Sequence, residues 1–322
     1  MGGETTWSFL CRLAAGYGID GAVLLGWWRQ VNRASGRTRC QDRSTGVAEV
    51  VFDPAGQQLL AQLSGVPAVT LARALPSWDQ GAGVPWPGRL EGARVCWKDA
   101  RTLGAVAVAC RLCTARRTGR PVRVVRYLPL WSRVCPHQRW QSDAGTERVG
   151  AERWLDVGSC PEISRAQQRW PVLARRAACR GQDLAQVFAV SRAVVLRWWG
   201  QAPAWEAERI WPDRLSRLTD RPAAAGRWGE AGWDSAVRDA ITLPEVITVA
   251  YALTDPACIR MVRADHAGTR PDGWGPGGRF VHHLGQRVER PWLGPLLSVD
   301  YTSPLQDWIN DVALSRHVQA TT

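Results

Sequence analysis

"CRLCTARRTGRPVRVVRYLPLWSRVCPHQRW", Cys110 to Trp140, gathers three of the chain's nine cysteines and eight of its arginines, with no acidic residue. Two readings compete for it. In one, the cysteines hold a metal in a small module that presents the arginines to an anion. In the other, it is a structural strand pair in a chain rich in arginine throughout. Cys110 and Cys113 form a C-x2-C pair, and Cys135 follows after 21 intervening residues, with His137 two positions on. Zinc takes four ligands, commonly thiolates with an imidazole, and one tight C-x2-C turn supplies two of them. A second pair on a later turn closes the tetrahedron around a hairpin-like span, as in a zinc ribbon. Cys96 and Cys160 are the alternatives to His137 as fourth ligand. "PVRVVRYLPLW" alternates well enough for a short strand.

Charge sharpens the question. Three thiolates and one divalent ion leave a single negative charge against Arg111, Arg116, Arg117, Arg120, Arg123, Arg126, Arg133 and Arg139, so a metallated segment stays strongly positive. Phosphate contacts from such a surface release counterions and weaken with salt. The whole chain leans the same way, with 41 basic against 29 acidic residues and a formal net charge of +12. Such a balance favours a polyanion, most simply nucleic acid. Lys98 is the one lysine, and its surroundings, "RVCWKDAR", lack the glycines of a phosphate-binding P-loop. A GC-rich coding bias accounts for part of the arginine total, and less for its clustering.

Outward from this segment the chain reads as mainly α. A length of 322 residues with 45% hydrophobic content suggests about two globular domains. Residues 1–80 read as an N-terminal helical domain, 81–103 as a linker, 104–142 as the zinc-ribbon-like β insertion, 143–265 as a second helical domain, and 266–322 as a Gly/Pro-rich tail ending in a short helix capped by Ser303. No apolar run reaches transmembrane length. Glu4 and the absence of a basic n-region argue against a secretory signal. With an odd cysteine count these features point to a reducing, cytoplasmic setting.

Two stretches fit a helix-turn-helix. In "LAQVFAVSRAVVLRWW", Ala189 and Val190 make the turn, Ser191 caps the second helix, and Arg192 and Arg197 face DNA. The rival reading is one continuous amphipathic helix. In "LLAQLSGVPAVTLARAL", Gly65 makes the turn, though the face beyond it is poor and a structural helix pair reads better. Nineteen tryptophans are many; Trp27, Trp28, Trp198 and Trp199 fall on helices as packing residues, and Trp131 and Trp140 flank Cys135. His282 and His283 read as surface residues, and Glu206 and Glu208 as ion-pair partners of Arg209. No arrangement of nucleophile, base or carboxylate reads as an enzyme.

Three blocks then carry a resemblance. "GETTWSFLCRLA" (Gly3 to Ala14), "LLAQLSGVPAVTLARALPSW" and "CRLCTARR…VCPHQRW" resemble, in this order, the opening, middle and zinc element of TniQ-domain proteins, over about residues 3–175. The resemblance implies a helical protein that binds Zn2+ through Cys110, Cys113, Cys135 and His137. It implies a role in transposition target selection, with DNA and an AAA+ ATPase regulator as partners. A protein-interaction scaffold with purely structural zinc is the alternative.

Overall fold

The computed structural model describes residues 3–30, 47–81, 95–141, 155–201, 210–219, 235–267, 277–288 and 304–314. Most of the linker, Glu206, Glu208, Arg209, the stretch 268–276, Ser303 and the side chains of Trp28 and Trp199 lie outside the described residues. The fold is mainly helical, with twelve α-helices and two small sheets among the described residues. It divides into two compact units, Met1–Trp154 and Leu155–Thr322. No single helix among the described residues is long and apolar enough to cross a membrane.

In the first unit, Thr5 caps α1 (Thr6–Gly16) by accepting from the Ser8 N–H, and α2 (Gly21–Gln30) folds back on it. Asp53 caps α3 (Pro54–Ser64) in the same way, with Pro54 in the first turn, where its missing N–H costs nothing. Gly65, at φ 64°, ends α3, and α4 (Ala68–Ala74) follows. The "LLAQLSGVPAVTLARAL" stretch is thus two helices about a left-handed glycine, and Leu60, Leu71 and Leu75 are buried from both. Strand β1 (Ala48–Phe52) pairs antiparallel with β2 (Val95–Asp99) in the register Val50↔Trp97. This corrects the linker reading, because part of 81–103 is a strand against the core. Phe9, Leu10, Leu24, Leu25, Leu60 and Trp78 centre that core. Each fully buried side chain of this size contributes roughly 1.5–3 kcal/mol.

The second sheet of this unit pairs β3 (Val106–Val108) with β4 (Val125–Tyr127), register Ala107↔Arg126. Between them lies α5 (Arg111–Thr118), ended by Gly119 at φ 74°. The span expected as a zinc-ribbon hairpin therefore carries a helix. "TARRT" holds helix formers and no β-branched run, and strand character begins only at "VRVVRY".

The second unit comprises α6 (Pro161–Ala178), α7 (Leu184–Gln201), α8 (Ile210–Thr219), α9 (Ser235–Leu253), α10 (Pro256–Ala267), α11 (Gly278–Arg287) and α12 (Pro304–Leu314). α9 packs on α6, α7 and α8 and is buried on most of its circumference. That agrees with its apolar sequence and leaves Pro244 inside a helix that other helices hold in place. Pro171 likewise sits within an unbroken α6. Arg214 reaches the centre of α9, donating to the Ile241 carbonyl at 2.7 Å and to both Glu245 oxygens at 2.8 Å.

The helix-turn-helix reading of "LAQVFAVSRAVVLRWW" is overturned. Residues 184–201 form one helix, with no turn at Ala189 or Val190. Neither residue breaks a helix. The Ser191 hydroxyl donates to the Val187 carbonyl at 2.7 Å instead of capping a new start. Phe188, Val195 and Trp198 do turn inward, and Phe188 meets Trp170 edge-on at 5.4 Å. Trp27, read as packing, is 52% exposed.

Candidate metal centre

The fold brings the four sequence-distant donors together. The ligand atoms of Cys110, Cys113, Cys135 and His137 all lie within 4.8 Å of one another. Cys113 Sγ and His137 Nδ1 are 3.1 Å apart. A tetrahedral site with metal–sulfur bonds of about 2.3 Å needs sulfurs about 3.7 Å apart, which this spread accommodates with small side-chain rotations. The donor set and spacing fit a metal ion.

Each pair is delivered by a different local device. Cys110 occupies the N-cap position of α5 and Cys113 its first turn, where the helix end favours negative charge. The Cys110 carbonyl accepts from the Thr114 N–H and hydroxyl, at 2.9 and 3.0 Å, which anchors the turn. Cys135 and His137 sit on a tight hairpin tip. Cys135 donates its N–H to the Arg139 carbonyl at 3.0 Å, Gln141 donates to the Arg133 carbonyl at 2.7 Å, and Val134 bridges Trp140. At the tip Gln138 takes φ 54°, the one non-glycine residue with positive φ among those described. That conformation costs roughly 1 kcal/mol or more and marks a turn held by its surroundings. The Gln138 N–H donates to the Cys135 carbonyl at 2.9 Å and closes the turn that carries Cys135 and His137. Cys96, opposite Val51 on β2, and Cys160, in the second unit with its thiol on the Arg214 carbonyl, stand outside the cluster.

Burial pushes the Cys113 thiol up, against a hydrogen bond from Cys135 that lowers it. Burial likewise takes Cys135 up to about 12, opposed by the backbone N–H groups of Arg139 and His137 that point at its sulfur. Without a cation the pocket disfavours thiolates. A divalent cation reverses this, since coordination requires the deprotonated form.

The arginines divide. Arg116, Arg117, Arg120 and Arg123 are exposed, on the last turn of α5 and the loop behind it. Arg111, Arg126 and Arg139 are half-buried. Burial, and then the charge of Arg117, lower the Arg126 pKa from its ordinary value. Arg133 is a structural brace, donating to the Leu130 and Gln141 carbonyls at 3.0 and 3.4 Å. In the second unit Arg192, expected to face DNA, grips both Asp239 oxygens at 2.8 Å. Arg197 is half-buried on α7.

The opening residues stitch this module to the rest of the first unit, a role that sequence reading did not assign them. Gly3 donates to the Ala74 carbonyl at 2.9 Å and accepts from the Tyr127 N–H, while Thr5 donates to the Val125 carbonyl at 3.0 Å. Glu4, fully buried, pairs with Arg12 at 2.9 Å. The side-chain pattern alone carries no signal for such backbone seams. The described residues offer no second Cys/His cluster of this kind. Compared with family models, curated proteins and solved structures, the chain matches none of them.

Proposed function

We propose that this chain is a TniQ-like DNA-binding adaptor of transposition target selection, and that Cys110, Cys113, Cys135 and His137 hold Zn2+. One observation carries the reading: the Cys3His cluster sits at the start of α5, whose far end and following loop expose Arg116, Arg117, Arg120 and Arg123. Three soft thiols with one imidazole favour zinc over harder cations. Bound there, the ion supplies a fixed cross-link between the α5 turn and the hairpin tip. The chain's own residues do the recognition. With α5 pinned at one end, its arginines meet phosphates in a set geometry and lose less side-chain freedom on binding. They read backbone, not sequence. Tyr17, Val23 and Trp27, on and just after the first two helices, are exposed apolar residues that suit a protein partner such as an AAA+ ATPase.

The test is duplex binding by the metal-loaded full chain at graded salt. Four phosphate contacts from these arginines contribute about −3.6 to the slope of log affinity against log salt. Arg116→Gln/Arg117→Gln/Arg120→Gln should lower the magnitude of that slope by about 2.7. A chain that binds zinc but no duplex at low salt would instead be a protein-interaction scaffold, which the same exposed apolar residues would serve.

A further inference from the structure

The second unit carries a row of arginines outside every site considered above. Arg165, Arg169 and Arg176 lie on α6, and Arg180 follows in the turn after it. Their spacings of four, seven and four residues return to one side of a helix that gains about 100° per residue. The row is about 22 Å long at ~1.5 Å per residue. Ile163, Ala166, Trp170, Leu173 and Ala177 form the buried side of the same helix. Arg165, Arg169 and Arg180 are exposed, and Arg176 is half-buried.

A solvated charged face would leave these side chains mobile and mixed with acids. Arg169, Arg176 and Arg180 are instead held by contacts of their own. Tyr251 of α9 lies under two of them, with the Arg169 guanidinium 4.4 Å and the Arg176 guanidinium 5.1 Å from its ring centroid. Its hydroxyl reaches the Arg169 carbonyl at 3.4 Å. Arg180 donates to the Thr254 carbonyl at the end of α9. No ion pair to any of the four occurs among the described residues. The acid of α6, Glu162, is taken by Arg217 and Arg214 at 2.6 and 3.4 Å. Asp255, near Arg176, is hydrogen-bonded by Arg287 at 3.1 Å. Cations at a helix C-terminus complement its dipole, which accounts for Arg176 and Arg180 but not for Arg165 and Arg169 further back.

We infer that the row along the α6–α9 seam is a second DNA-binding surface, built for the phosphate backbone of a duplex. A duplex presents one negative charge per about 1.7 Å of its axis, so a row of this length faces more phosphates than it needs. Single strands are held largely by bases stacked on open aromatic faces. Tyr251 already lies under guanidinium groups, so the site favours backbone contact. This surface shares its ligand class with the proposed function, yet none of its residues belongs to the first unit.

The experiment uses the full metal-loaded chain, a labelled duplex and graded salt. Arg165→Gln/Arg169→Gln/Arg180→Gln should reduce the magnitude of the salt slope by about 2.7. The matching lysine variant should keep the slope, because it keeps the charge. The triple glutamine variant of the first unit runs in parallel. Loss of slope in the α6 variant supports this inference, whether or not the first-unit variant weakens. An unchanged α6 variant overturns it, even if the first-unit variant weakens and leaves the proposed function standing. Equal loss in the lysine variant overturns it too, since the effect would then not be charge. A wild-type chain that binds no duplex overturns both.

Discussion

Glu49 has no exposed surface, yet it is held by polar contacts on every side. It accepts from the Tyr127 hydroxyl at 2.7 Å, the Val50 N–H at 2.8 Å and the Trp7 N–H at 3.2 Å. Burial raises its pKa above the ordinary 4.5, against the lowering effect of Tyr127 and the backbone donors. A raised acid binds its proton more tightly in the folded chain than in the unfolded one. Its contribution is therefore full below 4.5 and declines as pH rises through the folded value. Glu49→Gln removes that decline, so the melting temperature of the variant relative to wild type should rise with pH across this window. A difference that stays constant with pH would refute the assignment. The metal ligands make a sharper residue-level case. Cys113→Ser should release its metal to a chelator that leaves the wild type loaded, as read by metal analysis. Cys96→Ser and Cys160→Ser should retain it, because neither thiol belongs to the cluster.

At the scale of elements, the continuity of α7 separates two architectures that the sequence left open. Ala189→Gly in the middle of a helix should cost about 1 kcal/mol in a urea melt. At a helix-turn-helix turn the same change would be neutral or favourable. Two glycines set a second contrast. A Cβ on Gly65 meets nothing within 4 Å, so Gly65→Ala should cost only its left-handed backbone, about 1–2 kcal/mol. A Cβ on Gly81 would lie 2.3 Å from the Phe52 carbonyl oxygen, so Gly81→Ala must displace β1 and should cost more. In the second unit, Arg214→Met removes the cation that donates to both oxygens of Glu245, which is 6% exposed. Removing one member of such a buried pair costs about 3–5 kcal/mol. The α8–α9 packing should therefore be lost before the rest of the bundle, as hydrogen exchange would report.

For the molecule as a whole, the four clustered donors all lie in the first unit. Chelation should lower that unit's thermal transition and leave the second unit's in place, giving two calorimetric steps that separate as metal is removed. A single transition that moves as one, or none that moves, would count against a structural role for the ion. The sequence by itself determined the helical class, the Gly65 joint and the identity of the four sulfur and nitrogen donors. These depend on local spacing and on residues within a turn of each other, which a linear reading captures. It misplaced the strand at 95–99, the helix between the two ligand pairs and the break in α7. Only the tertiary structure decided those, because a strand needs its partner 47 positions away in register and a helix persists where its neighbours bury it. It also decided which arginines face solvent. Arg192 is drawn to Asp239, Arg133 to two carbonyls, Arg169 and Arg176 to Tyr251, and Arg180 to Thr254. Charge is written in the sequence, but whether a charge is free depends on what folding places beside it.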